Sequence, residues 1–152
     1  DWILFLHADS RLEPTWVNSF VKILNNKSSI NHAWYFDFKI KKYNLEFRIL
    51  EIAVALRSYF LQRPYGDQGL LIHKDLYYLS GGFSSLKIME DLDFITRITK
   101  NKKTKRIKEN IYTDDIKWAK SNIILRAIKN ARLRKKWRQG YNIDDLSKEY
   151  YS

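Results

Sequence analysis

Apolar and polar residues alternate along the chain in blocks that predict strands and helices in turn. The segment Trp2–His7 is apolar up to its final histidine, which is typical of a short strand buried on both faces. Pro14, a residue tolerated in the first turn of a helix, precedes apolar residues that recur at helical spacing as far as Leu24. The segment Ala33–Ile40 is rich in aromatic and apolar residues and therefore predicts a second strand.

The centre of the chain predicts an amphipathic helix. Asn44 is a residue type that caps helices, and Pro64 ends the helical pattern. Because the apolar positions recur at helical spacing, we expect them to form the buried face of this helix. They are Leu45, Ile49, Ile52, Ala53, Leu56 and Phe60.

The remaining pattern predicts a strand at 68–73, a helical turn at 74–79 and a helix at 90–99. A short strand near 107–112, a long basic helix at 116–138 and a last helix begun by Asn142 follow. Strands alternating with helices predict an α/β layered fold with a largely parallel or mixed sheet. We expect one domain over 1–152, with a sheet-bearing part at 1–115 and C-terminal basic helices at 116–152.

Charge is distributed unevenly along the chain. The 152 residues carry a net charge of +11, and the segment Arg97–Arg138 holds 16 Lys or Arg residues against three acidic ones. Such a segment favours anionic partners. The chain has no cysteine, which excludes disulfides and thiolate-metal sites and favours a cytoplasmic location. No apolar run reaches the roughly 18 residues that a membrane span needs.

Carboxylates stand at two points where elements of the predicted fold begin or end. Asp9 follows the first strand, and ligands of open α/β sheets bind beyond the carboxyl ends of strands. A carboxylate there can bind Mg²⁺ or Mn²⁺, although a loop or helix-capping role is an equal alternative. Glu90, Asp91 and Asp93 begin a helix, where the helix dipole by itself favours acidic residues. Apolar neighbours would raise the pKa of such a carboxylate and make it a better base.

Two further segments are marked by glycines, and the first of them also contains polar residues. Gly66 and Gly69 flank Asp67 and Gln68, and Gly81-Gly82 precedes Phe83. Glycine lets a ligand approach the backbone closely, whereas a tight turn is the simpler explanation of both segments.

Four segments in this order give a resemblance to a known family. His7-Ala8-Asp9, Pro64-Tyr65-Gly66-Asp67-Gln68-Gly69, Gly81-Gly82-Phe83 and Met89-Glu90-Asp91-Leu92-Asp93 resemble the second half of a family 2 glycosyltransferase with the GT-A fold. Within that family the chain is most similar to a small bacterial group associated with radical-SAM and selenium-domain proteins, or with arsenosugar biosynthesis. The resemblance implies a partial GT-A layered sandwich with a mixed sheet and additional C-terminal helices.

The resemblance also implies roles for particular residues. Asp91, or less favourably Glu90, matches the general base that deprotonates the acceptor hydroxyl. Asp9 matches the last carboxylate of the Asp-x-Asp element that holds a divalent cation, Mn²⁺ or Mg²⁺, on the diphosphate of a nucleotide-sugar donor. The other matched residues lie in the family's donor and acceptor wall or in the region that closes over the diphosphate. They are Gly66, Asp67, Gln68, Gly81, Gly82 and Phe83 for the wall, and Lys117, Trp118 and Arg126 for the closing region.

Two departures from the family pattern limit this expectation. The first Asp of Asp-x-Asp is His7 here, so His7 would be the second metal-site residue and the affinity for metal would be weaker. The strands that grip the nucleotide base in the family would precede Asp1. We therefore expect a truncated enzyme that does not turn over a nucleotide sugar by itself. We expect transfer with inversion, because a single in-line displacement inverts the anomeric configuration, and no covalent nucleophile is needed.

Two classes of binding protein are alternatives to an enzyme. The long basic helix has apolar positions, Ile128 and Leu133 among them, that predict a face docked on the domain. A basic amphipathic helix with tryptophan also suits an anionic membrane surface at the inner face of the membrane, and an acceptor linked to lipid. Nucleic-acid binding fits the charge but not the aromatic residues, which fall in periodic core positions and are not interleaved with basic ones.

Overall fold

The structure is a computed structural model that describes residues 1–113 and 123–152, without the side chains of 123 and 124. It confirms the α/β class, because the described residues combine one five-stranded sheet with helices on its faces. The strands are β1 (Trp2–Phe5), β2 (Ser10–Leu12), β3 (Ala33–Ile40), β4 (Leu70–His73) and β5 (Thr104–Thr113). The helices are α1 (Trp16–Leu24), α2 (Leu45–Phe60), α3 (Lys74–Leu79), α4 (Glu90–Thr99), α5 (Ile123–Arg138) and α6 (Ile143–Tyr151). Short 3₁₀ turns occupy Lys27–Asn31 and Gly66–Gln68.

The sheet is mixed, with the strand order β1-β4-β3-β5-β2. Among the described residues, β3 and β5 run parallel, and the other neighbouring pairs are antiparallel. The expectation of a mixed sheet is therefore confirmed, while parallel pairing is the minority. β1 pairs with β4 through the register Trp2 to His73, and this pairing sets the end of β1 beside the turn that precedes β4.

Burial of β1 differs from the prediction. Its four residues are all partly exposed, whereas β4 is buried at Leu70, Leu71 and Ile72. Within the described sheet, β1 is an edge strand and β4 lies inside, so neighbours cover only β4 on both sides. A continuous apolar run marks a strand but does not distinguish an edge strand from a central one.

The core fills both faces of the sheet. Side chains of β4 alternate between the faces, because successive residues of a strand point in opposite directions. Leu70 and Ile72 pack with Phe94 of α4 on one face. Leu71 packs on the other face with Ile23 of α1. Helix α4, and with it the acidic segment at its start, is thereby anchored against the sheet.

Two helices begin at the capping residues that the sequence predicts. The Oδ1 atom of Asn44 accepts a hydrogen bond from the backbone N–H of Glu46 at 3.0 Å. The Oδ1 atom of Asn142 accepts one from Asp144 at 2.8 Å. These contacts satisfy N–H groups that have no partner inside the helix.

The prediction of the buried face of α2 is wrong. Its buried residues are Phe47, Glu51, Val54 and Ser58, two of which are polar. The residues expected inside are mostly exposed; Leu45, Ile49, Ile52 and Leu56 are each more than half exposed. Glu51 lies inside because it accepts a hydrogen bond from the backbone N–H of Ile40 at 2.8 Å. We call the exposed residues Leu45, Ile49, Ile52, Leu56 and Tyr59 the α2 stripe.

The expected face of the basic helix is only partly correct. Leu133 of α5 is fully buried against Ile88 and Leu146, as expected. Ile128, expected on the same buried face, is exposed instead. Arg134 is half-buried, because its guanidinium lies over the ring of Tyr65. Within the described ranges, no helix is both long and apolar enough to cross a bilayer.

Candidate functional site

Two adjacent clefts lie at the end of β1 and the start of α4. The polar cleft, of about 300 Å³, has charged residues in its wall. They include Asp9, Asp67, Lys87, Arg126 and Arg134. The apolar cleft, of about 320 Å³, is lined mainly by aliphatic and aromatic side chains. They include Phe5, Leu6, Leu70, Phe83 and Ile95. Both clefts share His7, Tyr65, Glu90 and Asp91.

Asp91 is held in one orientation at the boundary between the clefts. Its Oδ2 atom accepts a hydrogen bond from the backbone N–H of Gly66, and its Oδ1 atom accepts one from Leu92, both at 2.7 Å. The carboxylate also lies in the first turn of α4, where the helix dipole stabilises negative charge. Glu90 lines the same clefts but is exposed to solvent. Asp91 is thus the oriented carboxylate of the predicted pair.

The residue before this pair has an unusual backbone conformation. Met89 has φ 65° and ψ 17°, in the left-handed region that non-glycine residues seldom occupy. Its carbonyl still accepts a hydrogen bond from the N–H of Asp93 at 2.9 Å. Conformations of this kind cost about 1–3 kcal/mol and concentrate at functional sites. The packed start of α4 therefore holds strained backbone next to Glu90 and Asp91.

Gly66 leaves space that no other residue would leave. A Cβ atom at Gly66 would collide with Nε2 of His7 and would lie 3.3 Å from Oδ2 of Asp91. The imidazole of His7 therefore lies against the backbone that orients Asp91. The sequence predicts the close approach of a ligand at Gly66. In the structure, the missing Cβ atom makes room for the side chain of His7.

Tyr65 contacts two arginines. The guanidinium carbon of Arg57 lies 4.0 Å from the centroid of its ring, and that of Arg134 lies 5.0 Å from it. Cation–π contacts of this kind are worth about 0.5–2 kcal/mol, depending on burial. Burial lowers the pKa of Arg134, and it nonetheless remains a cation because the usual pKa of arginine is far above neutral. The contacts fix a cation from α5 in the wall of the polar cleft.

Asp67 lies in the polar cleft with an incompletely satisfied carboxylate. Its Oδ1 atom is buried and has no hydrogen-bond partner among the described residues, and Nη2 of Arg57 lies 3.7 Å away. Burial raises the pKa of Asp67, Arg57 lowers it, and Asp91 adds to the rise. This oxygen is enclosed beside Arg57, and the exposed third of the Asp67 side chain is what faces the polar cleft.

Gln68 is buried away from both clefts. Its Oε1 atom accepts hydrogen bonds from Ser58 at 2.5 Å and from Arg57 at 3.0 Å, and its Nε2 atom donates to the carbonyl of Phe36 at 3.1 Å. Its contacts join α2 to the turn before β4, so the structure places Gln68 in the support of the site and not in the wall.

In the Gly81-Gly82-Phe83 segment, one residue lines a cleft and the two glycines do not. The Nη2 atom of Arg97 donates to the carbonyl of Gly82 at 2.6 Å and to Oδ2 of Asp93 at 2.8 Å. Asp93 therefore fastens this loop to α4 and does not line either cleft. Phe83 reaches the wall of the apolar cleft, whereas Gly81 and Gly82 do not.

The proposed metal residues lie near each other in sequence but do not form a closed site. Asp9 and His7 both line the polar cleft. The described part of the chain contains no group of three or more histidines or carboxylates able to hold a metal ion. Mg²⁺ commonly binds through one or two carboxylates together with phosphate oxygens of a substrate. Within the described ranges, Asp9 and His7 fit an ion that phosphate oxygens of a ligand help to hold.

Lys117 and Trp118 lie outside the described residues. Arg126, expected in the same closing region, lines the polar cleft. Arg134 and Tyr65 were not predicted as site residues, although both belong to segments that the sequence singled out. The proline before Tyr65 and the helical spacing of Arg126 and Arg134, eight residues apart, were the available signals.

No protein-family model matches this chain, and a search of curated proteins finds no significant match. The resemblance to family 2 glycosyltransferases therefore stays a prediction from the four sequence segments. The geometry of the two clefts is an independent basis for a functional proposal.

Proposed function

We propose that this chain carries the catalytic part of an inverting glycosyltransferase that moves a sugar from a nucleotide-diphosphate donor to an acceptor hydroxyl. One observation carries the proposal: the oriented carboxylate of Asp91 lies at the boundary between a cleft with arginines and an apolar cleft. Such a reaction needs a base on one side of the sugar and positive charge on the other. The four sequence segments support the same reaction.

In this reaction Asp91 accepts the proton of the acceptor hydroxyl. The acceptor oxygen forms a bond to the anomeric carbon while the bond from that carbon to the diphosphate oxygen breaks. The diphosphate leaves with the electron pair, and the configuration inverts. The two backbone N–H groups on Asp91 orient its carboxylate before the acceptor binds, which avoids reorganisation during the reaction.

Arg134 and Arg126 stabilise the leaving diphosphate in this proposal. Arginine is suited to this role because its planar guanidinium donates two parallel hydrogen bonds to phosphate oxygens. Tyr65 holds the guanidinium of Arg134 in place. Arg134 thus has little side-chain entropy left to lose when a diphosphate binds.

A divalent cation fits this site as a partner of the diphosphate. Asp9 would hold it together with phosphate oxygens, and His7 lies in the same cleft. Such an ion supplies additional positive charge to the leaving group.

Binding of inorganic pyrophosphate tests the role of the polar cleft. We expect calorimetry to give an affinity that falls about 10- to 100-fold in Arg134→Gln, because a hydrogen bond to a charged group is worth about 1.5–3 kcal/mol. Arg132→Gln is the matched control, since Arg132 is exposed on the same helix. Equal losses in both variants would mean diffuse attraction to a basic chain and would contradict the proposal.

A second candidate function is attachment to an anionic membrane surface, which we infer from the α2 stripe. Helix α2 contacts α5, whose exposed residues include the basic Arg132 and Lys135. Apolar residues next to basic ones are typical of a helix that lies in the membrane interface. This function supports the first one where the acceptor is linked to lipid.

Sedimentation with vesicles of phosphatidylcholine and phosphatidylserine tests this attachment. We expect the chain to bind these vesicles, and the double variant Ile49→Asp, Ile52→Asp to lose most of the binding. The matched control is Val17→Asp, Val21→Asp, which changes two exposed apolar residues of α1. Unchanged binding in the α2 variant, or a dimer that this variant dissociates, would contradict membrane attachment through the stripe.

A further inference from the structure

We propose that the acceptor is an alcohol with a non-polar body, aromatic or aliphatic, which the apolar cleft binds beside Asp91. This inference rests on the proposed function, because it names the class of acceptor for the same reaction. It begins from the contrast between the two clefts, which share one carboxylate but differ in the chemistry of their walls.

The interior wall of the apolar cleft offers contact area without hydrogen bonds. Phe5, Leu70, Phe83 and Ile95 line it and carry no polar side-chain atoms. A free sugar has hydroxyl groups on all sides, and each would lose its hydrogen bonds to water against such a wall. Burying a hydroxyl without a new partner costs about 1–3 kcal/mol on the scale of protein variants. The wall therefore disfavours a polyhydroxylated acceptor and favours a non-polar one.

Polar side chains lie where the two clefts meet. His7, Glu90 and Asp91 belong to both walls, so they stand at the junction. An alcohol whose hydroxyl donates to Asp91 would have its other end in the apolar cleft. The same position directs its oxygen toward the polar cleft, where the donor's diphosphate would lie. One binding mode thus satisfies both the hydroxyl and the non-polar body.

Aromatic contacts hold the wall of the apolar cleft. Phe83 packs edge-to-face on Phe5 with ring centroids 4.9 Å apart, and its ring lies 4.8 Å from that of Phe94. Phe94 is fully buried, so it anchors Phe83 to the core. A volume of about 320 Å³ lies at the lower end of the range for small-molecule sites, roughly 300–1,000 Å³. A single ring or a short chain is the size that fits.

Benzyl alcohol, with glucose as the polar comparison, is the probe that tests this inference. Saturation-transfer NMR on the chain should detect benzyl alcohol and not glucose. Leu6→Trp should weaken the binding at least tenfold, because Leu6 lines the cleft and is exposed enough for a larger side chain to fill the space. Val21→Trp is the matched control, since Val21 is similarly exposed and lies outside both clefts.

A second measurement keeps the test decisive if Leu6→Trp does not fold. Intermolecular NOEs from the ring protons of benzyl alcohol should reach the methyl groups of Ile95 and Leu70 in the unchanged chain. Absent NOEs, equal binding of glucose, or unchanged affinity in a folded Leu6→Trp would overturn the inference.

The outcomes separate this inference from the proposed function. Asp91→Asn removes the acceptor carboxylate but leaves Phe5, Leu70, Phe83 and Ile95 unchanged, so it should weaken benzyl alcohol binding far less than Leu6→Trp does. Retained binding combined with undiminished sugar transfer in Asp91→Asn would remove the proposed function and leave only an apolar binding site. Lost transfer without benzyl alcohol binding would keep the function and remove the class of acceptor.

Discussion

Replacement of Asp91 by Asn is expected to lower sugar transfer by roughly two to four orders of magnitude, the usual contribution of a general base. The amide has the shape of the carboxylate, but its single oxygen can accept only one of the two backbone N–H groups that Asp91 accepts, so circular dichroism must show that the variant is folded. The amide cannot accept the proton of an acceptor hydroxyl at neutral pH. The measurement is kcat for sugar transfer, with the unchanged protein assayed under the same conditions as the reference.

Glu90→Gln is the matched control for this prediction. Glu90 lines the same clefts, but its exposed carboxylate is not the one that Gly66 and Leu92 orient. We expect its effect on kcat to be far smaller. A larger loss in Glu90→Gln would make Glu90 the base, and Asp91→Asn with more than about a tenth of the normal rate would contradict general-base catalysis by Asp91.

Glu51→Ala is expected to lower the free energy of unfolding by about 1–3 kcal/mol, the usual cost of leaving a buried hydrogen-bond donor, here the N–H of Ile40, without its acceptor. The Glu51 side chain is 4% exposed and lies 2.8 Å from Arg48 and 3.1 Å from Lys39. It also accepts the backbone N–H of Ile40. Its loss leaves Arg48 and that N–H without their buried acceptor, while Lys39 can turn to solvent. Urea unfolding with an unchanged m value measures the difference.

Two further variants control the Glu51 experiment. Glu46→Ala removes an exposed glutamate from the first turn of the same helix, and we expect a change within about 0.5 kcal/mol. Glu51→Gln keeps an acceptor for the N–H of Ile40 and should give an intermediate loss. If Glu51→Ala costs less than about 1 kcal/mol, the buried ion pair does not stabilise α2 on the sheet.

The position of the secondary structure was largely accessible from the sequence, and the orientation of two helices was not. The Asn44 cap and Pro64 located α2, yet the apolar residues expected on its buried face are exposed to solvent. The buried face is instead selected by partners far along the chain: Ile40 for Glu51 and Gln68 for Ser58. Periodicity in a sequence records apolar residues but cannot show which polar residues find buried partners.

Some residues of the candidate site were likewise predicted from the sequence, and others were identified only in the structure. Asp91 and Gly66 were both predicted as site residues from the sequence. They lie 25 residues apart in the chain, and the fold joins them by a hydrogen bond. Gln68 was named with them, but its three hydrogen bonds place it in the interior. Arg134 was one of many basic residues on its helix, and only its contact with the ring of Tyr65 distinguishes it.

By itself, the sequence determined the α/β class, the helix caps and the order of four segments that resemble a glycosyltransferase, because these depend on residues close together in the chain. The tertiary structure decided which strand lies at the edge, which faces of α2 and α5 are buried, and which carboxylate is oriented between the two clefts. These features depend on contacts between distant segments, and the free energy of such a contact depends on the burial and hydrogen bonding of both partners.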